Sequence, residues 1–268
     1  MRQNARSPVR HAILNAAEDP CAGAPRLVSF GVEAIDEELD GGLARGGVHE
    51  IYAPSMAHSG AATGFTAALA LRAAGSRQIL WVRQEFLDTE AGRLNASGLA
   101  ELGLDPERII VVRARDTAGA LRACEQAARC TALGAVVIEP WGDPKILDFT
   151  ASRRLSLASA KSSVPVLMLR VLASAGQSAA ATRWSVQAAP SRALEANAPG
   201  YPAFELKLLR RRGGEAGRAW RVEWDRDRKC FQDLQRAGVA ALSRSLVSLS
   251  RDRPAEAGTA IAEFRRTG

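Results

Sequence analysis

Lysine is close to missing from this chain. Four residues, Lys145, Lys161, Lys207 and Lys229, belong to a basic total of 36, so the other 32 are arginines. Arginine suits flat, bidentate contacts to carboxylate or phosphate, so acidic partners or nucleic acid are compatible with the net charge of +7. A GC-rich genome writing arginine for lysine would give the same balance. Cysteine is as sparse: Cys21, Cys124, Cys130 and Cys230 are scattered, with no C-x-x-C pair, and His11, His49 and His58 are equally isolated. No metal site is expected, and the thiols read as reduced. No apolar run approaches a membrane span and no apolar leader follows the N-terminal arginines, so a cytoplasmic protein with no membrane contact is expected.

What remains is an alanine-rich globular composition, 47% hydrophobic and 24% charged over 268 residues. That length supports one large core, or one domain with extensions. Residues 1–28 read as a small helix and a linker. From residue 29 to 231, short β-rich runs alternate with helical periodicity. Ile79, Leu80, Trp81 and Val82 form one such run and Ala135, Val136, Val137 and Ile138 another. A third runs from Val164 to Arg170. Such alternation argues for a mostly parallel sheet with right-handed crossovers. Phe204, Leu206 and Leu208, then Trp220, Val222 and Trp224, alternate with charged residues about a glycine-rich turn, which predicts an antiparallel hairpin. Residues 232–268 read as an amphipathic helix and a loose tail, with Val239, Leu242, Leu246 and Leu249 on one stripe.

The stretch from Glu50 to Thr66 lies where a phosphate loop belongs, between a short apolar strand and a helical run over 66–74. A working loop spells G-x-x-x-x-G-K-[ST], its glycines letting backbone N–H groups wrap the phosphates while its lysine reaches them. Here Pro54, Gly60, Thr63, Gly64 and Thr66 are the candidate remnants, and no lysine is present. The loop reads as degenerate.

Before it, Ser29, Ile35-Asp36, Leu39, Gly41-Gly42-Leu43, Arg45-Gly46, Glu50-Ile51-Tyr52 and Pro54 follow in an order that resembles the start of the RecA-like ATPase core. Within that resemblance Glu85, at the end of a strand, matches the glutamate that orients the attacking water. Glu139 stands at the end of the Walker B strand, and Arg170 at the nucleotide-sensor position. Residues 173–181 correspond to a DNA-binding loop and are expected to be mobile. The lost lysine, the arginine-rich paired strands, the Thr182-Arg183-Trp184-Ser185-Val186 segment and the appended tail are similar to the ImuA family. These are RecA-like, or SulA-like, damage-inducible mutagenesis accessory proteins.

The resemblance implies a protein of the SOS response with two partners: an ImuB-like Y-family polymerase homologue and an error-prone C-family DNA polymerase subunit. RecA and single-stranded DNA are further partners, and a homo-oligomer is open. The expectation is a non-catalytic scaffold for translesion synthesis that carries no cofactor, with Glu85 and Glu139 as relics. Arg210, Arg211, Arg212 and Arg218 are candidates for nucleic acid, since residues 207–229 hold nine basic and four acidic residues. A solvated hairpin face is the alternative for them. The 239–249 stripe is the candidate partner contact. A DNA-stimulated ATPase and a SulA-like division inhibitor remain as alternatives.

Overall fold

The computed structural model describes residues 27–194, 198 and 200–234. The helix expected within 1–28 and the stripe of Val239, Leu242, Leu246 and Leu249 lie outside the described residues.

The domain opens with β1 (Leu27–Val28), α1 (Glu33–Glu38) and β2 (Leu43–Ala44), the two strands forming a small antiparallel ladder. Ile35 is buried, while the Asp36 carboxylate accepts from the Ser29 hydroxyl at 2.6 Å and the Phe30 N–H at 2.7 Å. That pair explains the hydroxyl and Ile-Asp spacing: one residue anchors the turn and the other its backbone. Then follow β3 (Val48–Ala53), α2 (Ser59–Ala74), β4 (Gln78–Gln84), α3 (Leu87–Glu90), α4 (Ala96–Glu101) and β5 (Ile109–Ala114). The parallel part ends with α5 (Thr117–Ala127), β6 (Leu133–Glu139), α6 (Phe149–Ser162), β7 (Val166–Val171) and β8 (Thr182–Ala188). Asn95, Asp116 and Asp148 cap α4, α5 and α6 by accepting backbone N–H groups of the first turn.

The remaining strands are β9 (Ala203–Arg211), β10 (Ala219–Asp225) and β11 (Cys230–Asp233). All but the first two strands join one nine-stranded sheet of order β11-β10-β9-β8-β3-β7-β6-β4-β5. From β8 to β5 every pairing is parallel; from β8 outward to β11 every pairing is antiparallel. The expected hairpin is therefore the middle of a four-stranded antiparallel wing. Its last strand carries the sheet past residue 231, the expected domain boundary, to Asp233. The first strand likewise draws Leu27 and Val28 out of the expected linker and into the domain.

Helices cover both faces of the parallel part, as its strands require. Ile51, Trp81 and Val137 lie in the core beneath α2, and Leu80, Val82, Val136 and Ile138 in the core beneath α5 and α6. Seven of the chain's fourteen aromatic residues (seven Phe, five Trp, two Tyr) gather on the α2 side. There Phe30, Phe65, Trp184, Phe204, Trp220, Trp224 and Phe231 touch in series, joining wing to core. Gly134 admits the end of α2: a Cβ there would stand 2.3 Å from Ala74 Cα.

Candidate functional site

The site expected from the sequence lies at the C-terminal ends of β3, β4, β6 and β7. Strand β3 stops at Ala53, Met56–His58 form one 3-10 turn, and α2 starts at Ser59. In a phosphate loop the lysine opens the helix, which sets the eight-residue window on residues 53–60. Ala53 and His58 then replace the two glycines, Ser59 the lysine, and Gly60 the hydroxyl residue. This corrects the sequence expectation. Gly60, Thr63, Gly64 and Thr66 are helical, not loop, because a glycine in a helix costs only about 1 kcal/mol and this helix is buried along most of its length. The Thr66 hydroxyl is buried and donates to the Ala62 carbonyl at 2.7 Å, so it faces no ligand. His58 Nδ1 accepts from the Ala188 N–H at 3.3 Å, tying the turn to β8.

Glu139 is buried and held from two sides. Trp81 Nε1–H donates to it, and Arg83 Nε lies 3.3 Å from its other oxygen as an ion pair. Burial pushes its carboxyl above the usual range, against the pull of Arg83 and Trp81. Arg83 reaches on to Asp88 at 3.4 Å, which also meets Arg113 at 2.5 Å and Arg93 at 3.5 Å. So Glu139 belongs to an internal network rather than to surface loop contacts. Glu85, by contrast, is exposed just past β4, its backbone N–H on the Ala114 carbonyl. Phe86 and Trp141 pack edge to face at 6.2 Å beyond these strand ends.

At the end of β7, Arg170 donates to the Gly142 carbonyl at 3.0 Å and to Asp143 at 2.8 Å. Tyr52 lies between two guanidinium groups, Arg170 at 5.4 Å and Arg183 at 5.6 Å from its ring centre. Arg183 is itself paired with buried Glu50 at 2.7 Å. Burial, with the nearby Glu50 charge, pushes the Tyr52 hydroxyl up to about 12. Glu50, Tyr52 and Arg170 border a cavity of about 310 Å³ closed by Asp143, Lys145 and residues 174–178. Sequence reading missed the Glu50–Arg183 pair; the signal available was a carboxylate inside an otherwise buried strand.

The segment at 173–181 is tethered, not loose. Ser174 N–H donates to Asp143 at 2.9 Å, and Ala179 N–H to the Ser152 hydroxyl at 3.0 Å. The four candidate nucleic-acid arginines all have protein partners. Arg210 donates to the Ser178 carbonyl at 2.7 Å and Arg212 to the Ala179 carbonyl at 2.6 Å. Arg211 reaches the Glu38 carbonyl and the Asp40 carboxylate, and Arg218 meets Glu38 at 2.7 Å. Among the described residues no group of three or more His, Cys, Asp or Glu could hold a metal ion, and no helix is long and apolar enough to cross a membrane.

These features define a RecA-like domain in which the β3–α2 turn holds no lysine and Glu139, at the end of β6, is internally paired. The fold is shared with a solved structure, the crystal structure of the RadB recombinase. At 15% identity the match has a TM-score of 0.51, covering 78% of this chain and 100% of that one. No described family profile matches the chain. Two curated relatives do: Protein ImuA of Caulobacter vibrioides strain NA1000 / CB15N and of strain ATCC 19089 / CIP 103742 / CB 15. Each is 31% identical over 207 residues, 71% of this chain and 81% of the relative. The chain belongs to the ImuA family.

Proposed function

We propose that this protein is a non-catalytic RecA-like accessory factor of damage-induced mutagenesis. Its fold serves as a scaffold on which an ImuB-like polymerase homologue and an error-prone C-family polymerase subunit assemble for translesion synthesis. The observation that carries this is the register of the β3–α2 turn. Where a phosphate loop needs a lysine, the helix starts with Ser59, and no lysine precedes Lys145. Phosphoryl transfer depends almost wholly on electrostatic positioning, so a site with no cation in the loop and a paired Glu139 loses both of its levers. Exposed Glu85 is the one feature that favours a residual ATPase.

Single-stranded DNA and RecA stay within the proposal as further partners, with Arg212 and Arg218 the exposed members of the four candidate arginines. The stripe of Val239, Leu242, Leu246 and Leu249 is a second candidate contact for the polymerase-like partner. Truncation after Leu234 spares β11 and tests it: partner binding falls if the stripe takes part and is retained if it does not. Mixing the purified chain with the ImuB-like homologue tests the scaffold itself. A complex that forms equally with and without Mg-ATP is expected; one that forms only with nucleotide contradicts it.

A further inference from the structure

The solvent face of α6 has no cover among the described residues. Phe149, Arg153 and Leu157 recur every four residues, so they line one edge of the helix over about 12 Å. Phe149 is 46% exposed and Leu157 55%, and Ile146, one turn ahead of Phe149, is 51% exposed. Single exposed apolar residues are ordinary, but Phe149 and Leu157 share this edge with Arg153 between them, and Ile146 lies just ahead of the helix, so the face is apolar and basic together. Beside them, α5 and α6 leave a cavity of about 350 Å³ with Leu121, Ile146 and Leu155 among its walls and Arg122, Glu125 and Arg154 at its rim.

The charge of this face is uneven. Glu125 is already taken by Arg129 at 2.8 Å and Arg154 at 3.0 Å. Asp116 and Asp148 cap their helices. Arg122, Arg153 and Lys161 form no ion pair among the described residues, so the unmatched charge is positive. We infer that this face docks an amphipathic helix of a second protein, its apolar stripe on Phe149 and Leu157 and its flanking carboxylates on Arg122, Arg153 and Lys161. The inference rests on the scaffold reading and assigns that scaffold's partner a chemistry. By composition the chain's own tail is a poorer match, since residues 235–253 hold Arg236, Arg244, Arg251 and Arg253 against one acidic residue, Asp252. Nucleic acid fits less well, because three exposed aliphatic or aromatic groups would gain no apolar partner.

A fluorescein-labelled helical peptide with a leucine stripe flanked by glutamates is the probe, with affinity for the full chain read by anisotropy. Phe149→Ser and Leu157→Ser are expected to weaken binding at least about tenfold, because exposed positions leave the fold intact while an interface anchor is lost. Arg153→Glu should lose the glutamate peptide and gain one flanked by lysines, a swap that misfolding cannot mimic. Equal affinity across all variants overturns the inference.

The polymerase-like partner separates the two claims. If it binds the wild type and loses the same variants, the face is its dock. If it binds wild type and variants alike, the face assignment falls while the scaffold stands. If it does not bind but the peptide does, the scaffold reading falls and the acidic-helix face survives. An oligo-dT strand that displaces the peptide through the same residues would reassign the face to nucleic acid and overturn the inference.

Discussion

Arg83 lies 3.3 Å from Glu139 and 3.4 Å from Asp88 inside a shell that excludes water, and Trp81 donates to the same Glu139. A carboxylate so engaged supports the strand ends. Glu139→Ala leaves Arg83 buried beside a vacated site and should cost about 3 kcal/mol in urea unfolding; a solvent-facing metal ligand would cost almost nothing. His49 supplies a second buried test. Trp184 Nε1–H donates to the Thr182 hydroxyl, Thr182 donates to His49 Nδ1, and His49 Nε2–H donates to the Ala44 carbonyl, the arrangement a neutral ring satisfies. Burial lowers its pKa from 6.5 to about 4. Stability from the neutral ring is therefore complete above 6.5 and is lost as pH falls towards about 4, about 3 kcal/mol in all. Glu139 has the opposite sign: its folded value is raised, so its contribution is greatest below its ordinary 4.5 and declines as pH rises through the raised value. Urea midpoints at about pH 7.5 and about pH 4.5 should show a smaller acid loss in His49→Gln than in the wild type. Equal losses would mean that His49 carries no such burden.

Helix α2 sits between β3 and the aromatic cluster, and Gly134 sets how closely its end approaches β6. Gly134→Ala should destabilise by about 1–3 kcal/mol, because the methyl group meets Ala74 backbone rather than a flexible side chain. Arg210 of β9 and Arg212, just past its end, hold the segment ahead of β8. Arg210→Ala and Arg212→Ala should therefore speed amide exchange around Ser178 and Ala179. If those guanidiniums bound phosphate instead, each loss would flatten the salt dependence of DNA affinity by about 0.7–0.9; an unchanged slope is expected. The strands were legible because each is a short apolar run bounded by turn residues. The start of α2 was not, since Gly60 and Gly64 read as loop residues and no side chain caps the helix at His58. The partners of Arg211 and Arg218 were equally hidden. Asp40 and Glu38 lie more than a hundred residues away in sequence, and only the folded wing brings them together.

Across the whole domain, six parallel strands keep RecA-like architecture, and an aromatic seam joins the antiparallel wing that starts from β8 to the core. The architecture could be read from the order of strand and helix, because periodicity follows burial. That the β3–α2 turn holds no lysine could be read from one missing residue type. The pairing of Glu139 with Arg83 could not, because it depends on β4 and β6 being neighbours. A non-catalytic scaffold needs no nucleotide. Titrating the purified full-length protein with Mg-ATP by calorimetry, with and without single-stranded DNA, and following phosphate release in the same samples, tests it most directly. No saturable heat and no turnover are expected in either condition. Saturable binding with DNA-stimulated release, abolished by Glu85→Gln, would contradict it and make the domain an ATPase.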